Sequence, residues 1–503
     1  MPHKELLMDT GQINTTDYAV DFAMPFSLGR LESASGAGRK SVKIGIIGAG
    51  SAQFSLNVVR DLCLTPGLAG SLICFMDINS ERLEAMERLA RRYASEVGAD
   101  LRFESTLDRH VVLQDADFVL NTAAQPHDDE ELQRSTWDHH GYYRGLRFPY
   151  LNLELMLDVA RDVERICPDA WLVQSGNPVF EGCTLMTRET GVKVVGLCHG
   201  HYGYRKIARV LDLDERDISF EAPGVNHCIW MTGFRYRGED AYPIIDDWIA
   251  QRSNEYWNSP VTSFSDTQMS RAAVDMYRMF GLFPIGDTPR FGGSQWLSSW
   301  WYHSDLAAKQ RWYGELGGFD SEIGWNQYLT KMNENLAQIQ RAGANQNGQL
   351  TDEFPPKHSG EQIVPIIDAL ANDHQGVFQV NVPNRGALPG IADDVVVEVP
   401  AIVQRDGIKP IRATPLSRRI MNRVLTPKIL EMEMNLDIFL TRDPKAWFHQ
   451  VLLDHRTQSP GQAIEAMQAV LNLPFNGRLR ERFGDLDNLL AFAAEEEGVL
   501  VEG

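Results

Sequence analysis

The segment Lys43-Ile44-Gly45-Ile46-Ile47-Gly48-Ala49-Gly50-Ser51 constrains the fold more than any other stretch of the chain. Val42 to Ile47 is an apolar run that reads as a buried strand. Gly48 and Gly50 permit a tight turn, and Ser51 to Cys63 has the pattern of a helix. Strand, glycine turn and helix in that order gather unpaired backbone N–H groups at a helix N-terminus, where the dipole favours an anion such as pyrophosphate. The next apolar run, Leu72 to Met76, ends in Asp77. A carboxylate there suits both hydroxyls of an adenosine ribose and repels a 2′-phosphate. Gly48, Gly50, Ser51 and Asp77 are therefore the expected contacts of a dinucleotide, NAD rather than NADP. The third glycine position of the usual fingerprint is Gln53.

Strand and helix patterns alternate from Val42 onward. Ser80 to Val97 has helical periodicity, Phe118 to Asn121 reads as a strand, and Asn121 at its end is expected beside the cofactor. Leu151 to Cys167 is an amphipathic helix with Leu155, Val159 and Val163 on one face, and Trp171 to Gln174 and Val192 to Cys198 are further strands. This order predicts an α/β fold, a Rossmann-like doubly wound parallel sheet over residues 41–219. Residues 1–40, mixed polar and small, read as a loosely ordered extension.

The character changes near Phe220. Trp230 to Tyr236, Val377 to Val382 and Val395 to Val399 read as strands, between long helical stretches such as Ile323 to Ala342 and Arg418 to Leu440. A mixed α+β domain for substrate binding and oligomerisation is expected over 220–503, and 503 residues are enough for two domains. The formal net charge of −20 argues against nucleic acid or an anionic membrane as partner. Met1 to Gly11 lacks the basic-then-apolar pattern of a secretory signal. Six cysteines in a chain this long do not make a disulfide framework, and a reducing cytoplasm is the expected compartment.

Polar groups recur at predicted strand ends: Asn177-Pro178, Cys198-His199 and Gly224-Val225-Asn226-His227. The carboxyl edge of an open α/β sheet is where ligands bind. A thiolate and an imidazole from separate segments can hold a divalent metal and leave positions open for substrate oxygens. A later loop, Phe283-Pro284-Ile285-Gly286-Asp287-Thr288-Pro289-Arg290, adds a carboxylate and a guanidinium. Singly, each piece has an ordinary reading as core, turn or surface; their conjunction with a dinucleotide turn does not.

Over about residues 41–480 these motifs resemble the NAD- and divalent-metal-dependent glycosidases, glycoside hydrolase family 4. The resemblance extends to Trp300-Trp301-Tyr302-His303, Ser321-Glu322-Ile323-Gly324-Trp325 and the strand Asp393 to Pro400. It is nearest to the subgroup acting on unphosphorylated α-glucosides and α-hexuronides. The resemblance implies that NAD⁺ takes a hydride from C3 of the sugar and a base removes the acidified C2 proton. Metal on O2 and O3 stabilises the enediolate, the glycosidic bond breaks by elimination, water adds at C1 and the hydride returns. This family departs from the usual two-carboxylate hydrolysis.

By position in that family, Cys198 and His227 are the metal ligands, with manganese the expected ion. Asp287 stands where relatives acting on other linkages carry a tyrosine base, and takes the C2 proton. His199 is the candidate acid for the leaving oxygen, although a metal beside it would hold its pKa down. Asn177 is expected on sugar hydroxyls and Arg290 on sugar or leaving group. A homodimer or higher homo-oligomer is expected by resemblance alone.

The chain departs from many relatives at Ala124-Gln125-Pro126-His127-Asp128-Asp129-Glu130, read as a loop beside the nicotinamide. Its acids either close the pocket, which disfavours an anionic uronide, or form a solvated face. The Cys-Asn and Cys-Asp dipeptides associated with phosphoglycosidases are absent. The expected substrates are α-glucosides, with α-glucuronides or α-galacturonides as the alternative. A second alternative is an NAD-dependent sugar dehydrogenase that releases an oxidised product.

Overall fold

The computed structural model describes residues 41–484 apart from 52–54, 147–148, 260–267, 292–299 and 345–347, together with residues 486 and 489. The extension over 1–40 and the fingerprint position Gln53 lie outside the described residues.

The first half supplies β1 (Lys43–Ile47), β2 (Leu72–Met76), β3 (Arg102–Thr106), β4 (Phe118–Asn121), β5 (Trp171–Gln174) and β6 (Lys193–Gly196). They pair in parallel in the order β6-β5-β4-β1-β2-β3, the dinucleotide-binding order with its switch point between β1 and β4. Both faces are covered, so β1, β2, β4 and β5 are mostly apolar, whereas the edge strand β3 alternates, with Arg102 and Glu104 exposed and Phe103 buried. Alternation along each strand sorts the side chains. Ile46, Phe75, Leu120 and Val173 feed one core, while Ile47, Cys74, Val119 and Leu172 feed the other.

The second half continues the sheet. It adds β7 (Ile218–Glu221), β8 (Gly224–Val225), β9 (Cys228–Met231), β10 (Gly233–Tyr236), β11 (Glu239–Asp240), β12 (Phe283–Ile285), β13 (Gly376–Pro383), β14 (Val396–Gln404) and β15 (Gly407–Pro410). β13 joins β6 antiparallel, and β14, β8, β9 and β12 follow, giving twelve strands in one sheet among the described residues. β7, β10 and β11 form a separate ribbon. Helices from after residue 220 also pack on the parallel half: Glu322–Ala344 lies on Ser80–Val97 and Ile363–Asn372 on Ser55–Cys63. Glu96 accepts the backbone N–H groups of Leu350 at 2.9 Å and Thr351 at 3.0 Å. No helix among the described residues is long and apolar enough to cross a membrane.

Three expectations are corrected. Trp230 to Tyr236 is two strands in different sheets, because Thr232 turns aside to Glu221, its N–H on the carbonyl at 3.0 Å and its hydroxyl on the carboxylate at 2.6 Å. The predicted Gln125–Glu130 loop is half helix: Pro126 precedes a helix over His127–His139, whose first turn holds the acids. Asp and Glu are favourable there because of the helix dipole. Arg418 to Leu440 is not one regular helix. It passes through a π-helical turn at Met421–Leu425 just before Pro427, whose missing N–H interrupts the ladder.

Candidate functional site

The turn after β1 is tight, as its glycines predict, but the N–H groups of Gly48, Ala49, Gly50 and Ser51 are engaged within it rather than left unpaired. Gly48 stands at φ +83°, and a Cβ there would lie 2.7 Å from the Ala123 backbone nitrogen. Gly48 and Ala49 donate to the Met76 carbonyl at 2.9 and 3.0 Å, locking the turn to the end of β2. Asp77 Oδ2 accepts the Gly50 N–H at 2.8 Å and its Oδ1 accepts that of Asn79 at 2.9 Å. Ser51 donates its N–H to the Gly48 carbonyl at 3.1 Å. Beside Asp77, the Ile78 side chain is 91% exposed. Asn121 differs from expectation. Its side chain is fully buried, donating to Gln174 Oε1 at 2.9 Å and accepting from the Ala123 N–H at 3.3 Å. It shapes the strand end rather than reaching a cofactor. Thr122, which sequence reasoning missed, donates to the Gly48 carbonyl at 3.0 Å and ties that strand end to the glycine turn.

The second cluster converges on one imidazole. Val225 and Cys228 pair across a two-residue hairpin turn, Asn226-His227, with His227 at φ +62°. The sequence placed this segment at a parallel strand's carboxyl end; it is a turn between antiparallel strands. His227 Nε2 lies 3.5 Å from Cys198 Sγ and 3.3 Å from Asn177 Oδ1, while its Nδ1 lies 2.7 Å from Asp287 Oδ2. Three predicted residues thus meet around the ring of a fourth. The Arg290 side chain, and the side chains of Trp300 and Trp301, lie outside the described residues.

The electrostatics follow from this geometry. Burial alone would raise the Cys198 thiol, but the His227 imidazolium, His199 and a hydrogen bond from the Asn226 side chain bring it down to about 6. Burial alone would lower His227, but the Cys198 thiolate and the Asp287 carboxylate hold it above its ordinary value. Charge on each member of the pair therefore favours charge on the other. For His199 burial acts downward, yet Glu361, 3.2 Å from Nδ1, raises the imidazole above its usual range. His201 points inward at 2% exposure, and burial holds it neutral.

A sulfur, an imidazole nitrogen and an amide oxygen facing one another fit a divalent cation. Ligand atoms about 2.1 to 2.3 Å from one ion stand about 3 to 3.6 Å apart, and the S···N separation falls in that range. Nδ1 on a carboxylate is the usual outer support of a metal-bound histidine. Among the described residues no three His, Cys, Asp or Glu side chains form a complete cage. A cation here would rest on Cys198 and His227 with positions left open, the pattern of a catalytic rather than a structural site.

The loop carrying Asp287 is keyed into the loop after β6. Gly286 is at φ +65°, and a Cβ there would fall 2.2 Å from the Gly200 carbonyl oxygen. Gln268, 4% exposed, receives the Gly286 N–H and donates to the Pro284 carbonyl at 2.8 Å. Gly286→Ala is expected to cost about 1–3 kcal/mol of stability through backbone strain and to lower kcat at least about tenfold by displacing Asp287. Gly200→Ala would meet only Ile229 Cδ1 at 3.6 Å and should leave stability unchanged. Denaturant unfolding and initial rates of the two variants check this contrast.

Glu361, Gln268 and Glu398 were not singled out from sequence. Only Glu398 left a signal there: one acid inside the apolar run Val395 to Val399. Such a residue is rarely buried without a partner. It is 1% exposed, accepts the Asn226 Nδ2–H at 3.0 Å, and burial pushes it up to about 7.

Comparison with known proteins places this arrangement. A family model described as "Family 4 glycosyl hydrolase" matches residues 43–213, and "Family 4 glycosyl hydrolase C-terminal domain" matches residues 222–457. The chain is 26% identical over 438 residues to the alpha-galactosidase of Bacillus subtilis (strain 168), covering 83% of this chain and 94% of that protein. It is 23% identical over 444 residues to the alpha-galacturonidase of Thermoanaerobacter italicus, covering 82% and 92%. Among solved structures, a 6-phospho-alpha-glucosidase from gut microorganisms, in complex with NAD and Mn2+, superposes with a TM-score of 0.69 at 18% identity. That match covers 86% of this chain and 98% of the other, and shares the Rossmann-like fold.

Proposed function

The chain belongs to the family 4 glycosyl hydrolases, and from that premise we propose that it hydrolyses unphosphorylated α-hexosides, α-glucosides first, using NAD and a divalent cation, manganese by preference. The observation that carries the reading is the His227 imidazole engaged on both nitrogens, by Asp287 on one side and by Cys198 with Asn177 on the other. An ordinary dehydrogenase needs no thiolate–imidazole pair beside its carboxylate base.

When bound, the dinucleotide supplies reversible hydride transfer at C3 and the cation supplies stabilisation of charge on O2 and O3, so that elimination and water addition proceed without net oxidation. The residues do the rest. Gly48, Gly50 and Ser51 present the pyrophosphate turn, Asp77 reads the ribose, and Ile78 offers an apolar cover for the adenine. Asp287 holds His227 through Oδ2 and takes the C2 proton through Oδ1. Asn177 orients sugar hydroxyls, Arg290 contacts sugar or leaving group, and His199, braced by Glu361, returns a proton to the leaving oxygen.

The test is release of nitrophenol from matched α-glucoside, α-galactoside, α-glucuronide and α-galacturonide substrates, with NAD⁺ and manganese omitted in turn. Turnover is expected only with both present and without accumulation of NADH. Turnover indifferent to NAD⁺ would overturn the mechanism, accumulating NADH would make the protein a dehydrogenase, and preference for a uronide would replace the substrate assignment.

A further inference from the structure

A row of paired residues runs across the sheet behind the His227 cluster. Gly196 on β6 pairs with Asn381 on β13, Asn381 with Glu398 on β14, and Glu398 with Gly224 on β8. Cys198 follows Gly196 by two residues and His227 follows Gly224 by three. The one carboxylate in the row is therefore built into the framework that joins the two proposed ligands. It is 1% exposed, and Asn226 beside it is 2% exposed.

The Asn226 amide nitrogen has two N–H groups. One is given to Glu398 Oε2 at 3.0 Å. Asn226 immediately precedes His227 in the hairpin turn between β8 and β9, so this buried hydrogen bond ties the turn that carries the imidazole to the carboxylate on β14. If the row served only to bind strands together, Gly196 and Gly224 would show the simpler solution, backbone alone.

We propose that Glu398 is a positioning residue for the divalent cation, holding the Asn226 amide and with it the hairpin turn that presents His227 to Cys198. This rests on the reading of Cys198 and His227 as the cation's ligands. Outer partners of this kind typically change metal affinity about 10- to 100-fold.

The experiment uses the full chain loaded with NAD⁺ and titrates Mn²⁺ by calorimetry. It then replaces Mn²⁺ by Co²⁺ to read the sulfur-to-cobalt charge-transfer band, which a role confined to strand packing would not move. Glu398→Met should weaken Mn²⁺ about 10- to 100-fold, shift or weaken the cobalt band, and leave NAD⁺ affinity unchanged. Glu398→Gln, whose Oε1 still accepts from Asn226, should stay within about threefold of wild type. Asn226→Ala should match Glu398→Met, and the double variant should lose no more than either alone, because both break one link. If Glu398→Met does not fold, Asn226→Ala decides, since it leaves the carboxylate in place. Unchanged Mn²⁺ affinity in the folded variants, or a Glu398→Gln loss equal to that of Glu398→Met, would overturn the proposal. If Cys198→Ser binds Mn²⁺ as tightly as wild type, the ligand assignment itself fails and takes this proposal with it. That result is distinguishable because it appears without touching Glu398.

Discussion

Cys198→Ser is expected to weaken manganese binding by more than about a hundredfold, beyond the effect of removing an outer partner, and to abolish turnover in parallel. A serine hydroxyl stays protonated at neutral pH, so the site loses the sulfur donor that faces His227 Nε2. The wild-type thiol is held low by the imidazolium, and the imidazole is held high by the thiolate and Asp287. The sulfur therefore gives up its proton readily, while His227 holds one that a cation must displace. Cation binding should release about one proton per ion. With serine in place, burial acts on His227 against Asp287 alone, the imidazole moves down, and the release shrinks. Calorimetry in two buffers of different ionisation enthalpy measures both affinity and proton count. NAD⁺ affinity should not change, because the glycine turn and Asp77 share no contact with Cys198. Full activity with wild-type manganese affinity would remove the cation from this position.

The fold was legible where one periodicity governed. β1, β2, β4 and β5 are apolar because helices cover both faces, and the helix over Ser80–Val97 carries its own signals, with Asn79 capping Arg82 N–H and Gly98 at φ +69° closing it. The continuation of the sheet through β13 and β14 was not legible. Strand pairing between segments about 185 residues apart leaves no local trace, and an antiparallel neighbour for β6 reads the same as a strand in a separate domain. The candidate site divided in the same way. Cys198, His227, Asn177 and Asp287, which the structure brings together, stood out because each is a reactive or polar residue at a turn. Glu361 was not, because its partnership with His199 spans the chain and its neighbours Gly360 and Gln362 look like any surface turn. Asn121 was misjudged for a complementary reason. Position at a strand end says where a residue is, and only packing says which way its side chain turns.

The sharpest separation of roles comes from Asp287, where asparagine and alanine should part company. Asp287 Oδ2 lies 2.7 Å from His227 Nδ1, so in the proposed mechanism the residue both steadies a ligand and stands as the base. Asparagine keeps an oxygen that can accept the Nδ1–H, but it has no basic carboxylate. Asp287→Asn should therefore keep manganese affinity within about tenfold while C2 proton exchange falls by about 10² to 10⁴, the usual contribution of a general base. Alanine removes the oxygen as well, and affinity should fall a further 10- to 100-fold or so, as for other outer partners of a metal ligand. The charge change has its own signature. The Asp287 carboxylate is one of two groups raising His227, and neutralising it lets the imidazole fall toward its ordinary value. Proton release on cation binding at pH 7 should then decrease, and the weakening of affinity on acidification should become shallower. Incorporation of solvent deuterium at C2, read by NMR of the released sugar, reports the base directly and does not depend on the leaving group. Exchange at the wild-type rate in Asp287→Asn, with manganese still bound, would leave Asp287 only its hold on His227 and move the base to another group within reach of the sugar.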